Sequence, residues 1–286
     1  MLTFLMLLAC TGTDEAGDPG GLPGLGSDTS GSEVDVPPTL EEPVPRIVLH
    51  EAFSGSNCGP CAPAAENLSA ALADKSGMYA MLKYQIGSDP YISPEAVSRR
   101  MFYLPGTDTY SIPWVVADGV HEFHPNEMDH GGAYLAEDFD TLAAHQAFLQ
   151  VDVEMEVTDQ TVDITVDLYP TIDITGEDLR LFIAIKEITT QNNVGSNGQT
   201  EFHDVLKKFV PDNNGTPIDT LVAGEQSTHT AQYVFQGEYD AETGISNPVD
   251  HSTAHTVEGF DDLAVVVWVQ DLSTWEVFNT GMAGGH

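Results

Sequence analysis

The sequence predicts an α/β domain followed by an all-β domain, and three observations predict it. Between residues 46 and 148, short apolar strands alternate with amphipathic helical stretches. After residue 149, helical periodicity gives way to segments in which polar and apolar side chains alternate. The chain has 286 residues, enough for about two domains at roughly 150 residues each.

The elements follow in order. Residues 46–53 read as a strand that runs into Ser54-Gly55-Ser56-Asn57 and then Cys58-Gly59-Pro60-Cys61. Residues 62–72 are helical, with Leu68, Ala71 and Leu72 on one face. Residues 78–86 form a second strand. Ser93-Pro94-Glu95 opens another helix, with Ser93 as N-cap and Pro94 in the first position, running to about residue 104. Residues 112–116 are a third strand, turned by Asp118-Gly119 into 120–123. Residues 137–148 make a last amphipathic helix. Beyond it, strands are expected at 150–157, 161–168, 179–188, 228–235, 263–270 and 276–279, separated by turns rich in Gly, Asn, Pro and Asp. Many antiparallel strands with one buried face predict a β-sandwich of the immunoglobulin-like kind.

The N-terminus has its own character. Met1 to Ala9 is apolar but too short to span a bilayer, and no later run of about 18 apolar residues occurs. Leu7-Leu8-Ala9-Cys10 resembles the cleavage box of a bacterial lipoprotein signal. That resemblance implies cleavage before Cys10, a lipid on Cys10, and sorting to the outer membrane, because Thr11 rather than Asp follows. No positive charge precedes the apolar run, a departure from the pattern, and an ordinary apolar N-terminus is the competing reading. Residues 11–44 are rich in Gly, Asp, Ser, Thr and Pro and too poor in apolar side chains to offset chain entropy. They read as a disordered tether with a reach on the order of 30 Å. The expected organisation is therefore a signal peptide at 1–9, a tether at 10–44, an α/β domain at 45–149 and a β-sandwich at 150–286, with membrane contact through the lipid alone.

Charge excludes one class of partner. Acids outnumber bases 45 to 9, for a net charge of -36, and all nine bases lie at or after Arg46. Phosphate backbones repel such a surface, so nucleic-acid binding is set aside. The acids read as a solubilising surface, with divalent-cation binding as the alternative. Asp212-Asn213-Asn214-Gly215 lacks the distal Glu of a calcium loop and reads as a turn. His121, His124, Asp129 and His130 are metal-ligand types at irregular spacing, which reads as a solvated loop. Phosphate-binding and nucleophile-elbow motifs are absent, and no cofactor is expected.

The chemistry lies in the cysteine pair. A Cys-x-x-Cys spacing lets two sulfurs meet with little backbone movement. Placed at a helix start, the first sulfur is near unpaired N–H groups whose partial positive charge favours the thiolate. Cys58 is the expected nucleophile and Cys61 the resolving thiol. The same motif is half of a structural zinc site, but a second cysteine pair is missing and only His121, His124 and His130 lie near in sequence.

Cys58-Gly59-Pro60-Cys61 matches the thioredoxin active-site tetrapeptide, and the α/β half resembles that superfamily. The resemblance implies a cis-proline at Ile112-Pro113, opposite the dithiol, where a partner polypeptide is received; a strand-entry proline is the competing reading. Two positions depart from thioredoxin. Its buried Asp, six residues before the first cysteine, is Ala52 here, with Glu51 one place earlier. Its Trp before the first cysteine is Asn57. A further resemblance covers most of the chain: VLHEAFSGSNCGPCAP, residues 48–63, is similar to the E-x-F-T-G-x-x-C-x-x-C-P segment of an outer-membrane lipoprotein family named for a twenty-eight-kilodalton member. Glu51, Phe53, Gly55, Cys58 and Cys61 fall in register, with Ala62 inserted before Pro63. That family pairs a thioredoxin-like domain with a β-rich one, and residues 181–187 with 201–205 look like its second half. The function implied is a thiol–disulfide oxidoreductase acting on protein thiols and disulfides in the cell envelope through Cys58, Gly59, Pro60, Cys61 and Pro113. The alternative is a non-catalytic surface lipoprotein braced by a Cys58–Cys61 bridge, although a bridge closing so short a loop adds little stability.

Overall fold

The fold is built outward from one strand. β1 (Val48–Ser54) is buried over its first six residues. It pairs in parallel with β2 (Tyr79–Gln85) and antiparallel with β3 (Trp114–Ala117). The structure is a computed structural model, and it describes residues 37–104, 111–126, 134–241 and 249–284.

Helix α1 (Cys61–Ala71) starts on the second cysteine and buries Cys61, Ala64, Leu68 and Ala71, a single stripe at three- and four-residue steps. Helix α2 (Pro94–Tyr103) starts as the sequence predicts: the Ser93 hydroxyl accepts the Ala96 N–H at 3.0 Å, and Pro94 takes the first position. β4 (His121–Phe123) closes a hairpin with β3 through Asp118 and Gly119, both at positive φ. Only glycine fits at 119, because a Cβ there would lie 1.9 Å from the Trp275 carbonyl oxygen. Helix α3 (Ala136–Ala143) is shorter than expected, since Ala147 leaves it to pair with Val44.

The second half is made of β5 (Leu149–Thr158), β6 (Thr161–Pro170), β7 (Leu179–Thr190), β8 (Phe202–Val210), β9 (Thr216–Pro217), β10 (Ser227–Val234), β11 (Glu238–Tyr239), β12 (Ala254–His255), β13 (Leu263–Asp271) and β14 (Val277–Gly284). Character changes near residue 149, as the alternating pattern implies, but the two halves do not form separate sheets. One nine-stranded sheet runs β14-β13-β7-β8-β2-β1-β3-β4, with β9 on β7. β8 is the joint: it is antiparallel to β7 and pairs in parallel with β2 at Lys83 and Val205.

That joint is absent from the sequence-predicted strands, as are the two-residue strands β9, β11 and β12. Its sequence, FHDVLKKFV, places two adjacent lysines in a buried segment. Lys207 meets Glu187 at 2.8 Å and lies 4.0 Å above the Tyr91 ring; Lys208 is bonded to Glu95. The neutralising acids come from distant segments, so the local pattern reads as exposed when it is buried.

A second, smaller sheet packs on part of the large one. A three-stranded sheet, β10-β6-β5, packs Val162, Ile164, Val166 and Leu168 against Leu181, Ile183, Val265 and Val267. The other face of β7 and β13 does not see solvent. Phe182, Ala184, Val266 and Trp268 share a core with Leu49, Phe53, Tyr84 and Trp114 from the first half. The expected separate β domain, an immunoglobulin-like sandwich, is therefore corrected: the larger of the two packed sheets in the β-rich half is also the sheet of the α/β half. β13, LAVVVWVQD, buries all nine residues, which suits a strand covered on both faces.

The expected tether end is also ordered. Glu41 N–H donates to the Thr171 carbonyl at 2.8 Å, and Val44 N–H to the Ala147 carbonyl at 2.8 Å. Cys10 and the signal peptide lie outside the described residues. Among those described, no helix is long and apolar enough to cross a membrane.

Candidate functional site

The two cysteines are joined, with S–S 2.04 Å and Cα–Cα 5.3 Å. β1 delivers the chain to the site, and α1 carries it away. Cys58 is half-buried, and Cys61, at the helix start, is 1% exposed. Cys58 N–H donates to the Gly55 carbonyl and Cys61 N–H to the Cys58 carbonyl, folding the loop into consecutive turns. Opposite stands Pro113, reached through a cis Ile112–Pro113 bond, with Cys58 Sγ 3.7 Å from the Ile112 carbonyl oxygen. The segment after β4 ties these parts together. His124 Nδ1 lies 3.1 Å from the Pro113 carbonyl oxygen, Asn126 Nδ2 donates to the Pro60 carbonyl, and Asn67 on α1 donates to the Pro125 carbonyl.

The second half also grips the cysteine loop. Asn197 N–H donates to the Ser56 carbonyl at 2.9 Å, and Ser196 N–H to Asn57 Oδ1 at 3.0 Å. Gly195 presses so close that a Cβ there would lie 2.5 Å from the Ser56 carbonyl oxygen. Buried Asp89 accepts the Ser56 N–H at 2.7 Å and the Tyr91 N–H at 2.8 Å. Burial pushes the Asp89 carboxyl above its ordinary range, against the pull of those N–H groups. Asn57, in the place of thioredoxin's Trp, is a structural tie: its Nδ2 donates to the Ser88 carbonyl at 2.7 Å. The loop between β7 and β8 is thus a part of the site that the cysteine motif does not signal.

Glu51 does not stand in for the missing acid. It faces the opposite side of β1 from Ala52, fully buried. Its Oε1 accepts from Arg99 Nε at 2.6 Å and from the Tyr84 hydroxyl at 2.6 Å. Its Oε2 accepts from Arg99 Nη2 at 2.9 Å and from the Tyr103 hydroxyl. Arg99 reaches on to Gln270 Oε1 at 2.9 Å, and its guanidinium lies 5.4 Å from the Trp268 ring centre. These contacts lock α2 onto strands of both halves, and every bond Glu51 makes is on the far side of the sheet from Cys61.

The face that carries Ala52 opens instead into a cleft of about 950 Å³ between α1 and residues 197–204, lined by Cys61 and Pro113. Lys83, paired in register with Ala52, and Gln85 belong to this face. Burial lowers the Lys83 ammonium pKa, opposed by the charge of Asp204. The sequence gives no sign of either residue's role, because the alternation of β2 reveals a face but not what covers it.

Among the described residues, no group of three or more His, Cys, Asp or Glu side chains could hold a metal. His130 and Asp129 lie outside them. Asp212 to Gly215 forms the expected turn, with Asn214 N–H donating to Asp212 Oδ1 at 2.7 Å.

No family model matches the chain, and no curated protein matches it. Solved structures do. HBP35 of Porphyromonas gingivalis is similar at a TM-score of 0.61 and 14% identity, over 84% of this chain and 75% of that one. A protein from Agrobacterium tumefaciens is similar at a TM-score of 0.52 and 15% identity, over 86% and 96%. At these identities the likeness is one of fold, and it spans both halves. A domain of the outer membrane lipoprotein Omp28 from Porphyromonas gingivalis aligns at a TM-score of 0.30 and 17% identity, over 48% of this chain and 88% of that one.

Proposed function

We propose that this chain is a thiol–disulfide exchange protein of the bacterial envelope, tethered by a lipid on Cys10. One observation carries the reading: a half-buried sulfur and a buried one are bonded at a strand–helix junction, facing the Pro113 segment. In the reduced protein, Cys58 thiolate attacks a partner disulfide, forms a mixed disulfide and expels one partner thiolate. Cys61 thiolate then attacks Cys58 Sγ, closes the Cys58–Cys61 bond and expels the second. Two electrons pass to the partner, and the reverse sequence oxidises a partner dithiol. Gly59 and Pro60 set the turn between the sulfurs, and Pro113 lies where the partner chain is received. The envelope location follows from the lipoprotein box at Leu7 to Cys10.

The experiment is trapping. Cys61→Ser removes the resolving thiol and is expected to accumulate mixed disulfides with envelope proteins on non-reducing gels, whereas Cys58→Ser accumulates almost none. Equal, near-zero trapping by both variants would leave Cys58–Cys61 as a brace in a surface lipoprotein.

A further inference from the structure

The cleft beside Cys61 holds two polar side chains that the fold leaves unused. Gln85 is 2% exposed, yet neither its Nε2 nor its Oε1 finds a hydrogen-bond partner in the chain. An unpaired buried amide costs about 1–3 kcal/mol, and such groups call for an explanation. Ala52 and Met81, on the same face, offer no polar side-chain atom to it.

Lys83 is the second. The chain has five lysines and 45 acids. Lys75, Lys186, Lys207 and Lys208 each hold a carboxylate: Asp140, Asp204, Glu187 and Glu95. Among the described residues, Lys83 holds none. Asp204, whose charge reaches it, is bonded to Lys186 Nζ at 2.7 Å. In a chain this acidic, a cation left without a carboxylate beside an unsatisfied amide is the reverse of what charge abundance alone produces.

Both residues line the 950 Å³ cleft, a volume within the roughly 300–1,000 Å³ of small-ligand sites. Among the α1 residues that line the cleft, Ala62, Ala64, Ala65 and Ser69 are short, and the larger ones are Glu66 and Leu68. We propose that this cleft binds a monoanionic carboxylate beside Cys61, one oxygen on the Lys83 ammonium and the other on Gln85 Nε2. One cation matches one negative charge. Glu66, Glu201 and Asp204 also line the cleft, and their charge opposes any anion there, a dianion such as phosphate about twice as strongly as a monoanion. A carboxylate against Lys83 reverses the loss of ammonium stability that burial imposes. The site goes beyond disulfide exchange and does not rest on it, since binding is read with the cysteines bonded.

The test is titration of the full-length oxidised protein at fixed ionic strength, followed by the Gln85 side-chain amide signals in NMR and by calorimetry. The probes are butyrate, for a free small acid, and N-acetyl-trialanine with its C-terminal amide counterpart, for a polypeptide terminus. Saturable movement of the Gln85 amide is expected in the wild type with at least one carboxylate probe, and the affinity read by calorimetry is expected to fall at least about tenfold in Lys83→Met and in Gln85→Leu and to be unchanged in Lys75→Met. Tighter binding of the tripeptide than of butyrate, lost in the amide, identifies a chain terminus; equal binding identifies the carboxylate group alone. Gln85→Leu also removes an unpaired amide and is expected to raise the melting temperature of the unliganded protein. No saturation by either carboxylate up to roughly 100 mM, or saturation that Lys83→Met and Gln85→Leu leave intact, overturns the proposal. The wild-type amide signal decides the matter even where a variant does not fold.

Discussion

The two faces of the β1–β2 pair handle charge in opposite ways. On the α2 face, Glu51, Arg99, Tyr84, Tyr103 and Gln270 form a network in which both Glu51 oxygens accept hydrogen bonds. On the α1 face, one strand position away, stands the small Ala52, while the Gln85 amide is unpaired and Lys83 holds no carboxylate among the described residues. The first face joins the two halves of the molecule; the second stays open beside Cys61. The contrast teaches that a buried charge becomes architecture when its partner is in the chain and becomes a site when it is not.

The largest effect expected from breaking this contrast is at Glu51. Glu51→Gln leaves Arg99 buried without its counter-ion, and removing one partner of such a pair costs about 3–5 kcal/mol. Urea midpoints should fall accordingly, and Glu51→Leu combined with Arg99→Met should recover much of the loss. Lys83→Met, by contrast, breaks no ion pair and should shift the midpoint little. Equal losses for Glu51→Gln and Lys83→Met would erase the distinction between the faces.

The next effect is in acid. His50 lies on the face of Ala52, fully buried, 2.6 Å from the Tyr134 hydroxyl, and burial lowers its pKa from 6.5 to about 4. The folded state keeps it neutral while the unfolded chain takes up a proton below 6.5. Its contribution is thus complete above pH 6.5 and is lost as pH falls toward 4. The drop corresponds to about 3 kcal/mol by linkage. Buried acids with raised pKa values, Glu95 and Glu187 among them, pull the other way. The difference between the wild-type and His50→Gln stability curves isolates the histidine. It should slope between pH 6.5 and 4 and be flat above, and a difference curve flat throughout would remove the assignment.

A smaller effect sharpens the link between the halves. Gly195→Ala places a methyl 2.5 Å from the Ser56 carbonyl oxygen, so the β7–β8 loop must shift. A cost of about 1–3 kcal/mol is expected, as for other overpacked sites. In the reduced protein, Cys58 alkylation should change rate by more than twofold. An unchanged rate would mean that the loop braces the fold without touching the dithiol.

How much of this was legible follows from where each signal is stored. The Ser93-Pro94 helix start, the Asp118-Gly119 turn and the strand–Cys-Gly-Pro-Cys–helix order are local, and the structure contains them. β8 was not legible, because Lys207 and Lys208 read as polar until Glu187 and Glu95 arrive from elsewhere. Without β8 the sequence pattern divides near residue 149, and nothing local marks the shared core of Phe182, Trp268, Phe53 and Trp114. The place of Glu51 on the far face followed from strand alternation. The unpaired amide of Gln85 and the want of a carboxylate on Lys83 did not, since they depend on what the rest of the chain supplies.

The measurement that tests the central claim most directly is the reduction potential of Cys58–Cys61, by equilibration of the whole protein against thiol–disulfide buffers of known potential. A working exchange site is expected near that of thioredoxin, about -270 mV, or higher. A value well below about -300 mV is that of a structural disulfide and would contradict the account.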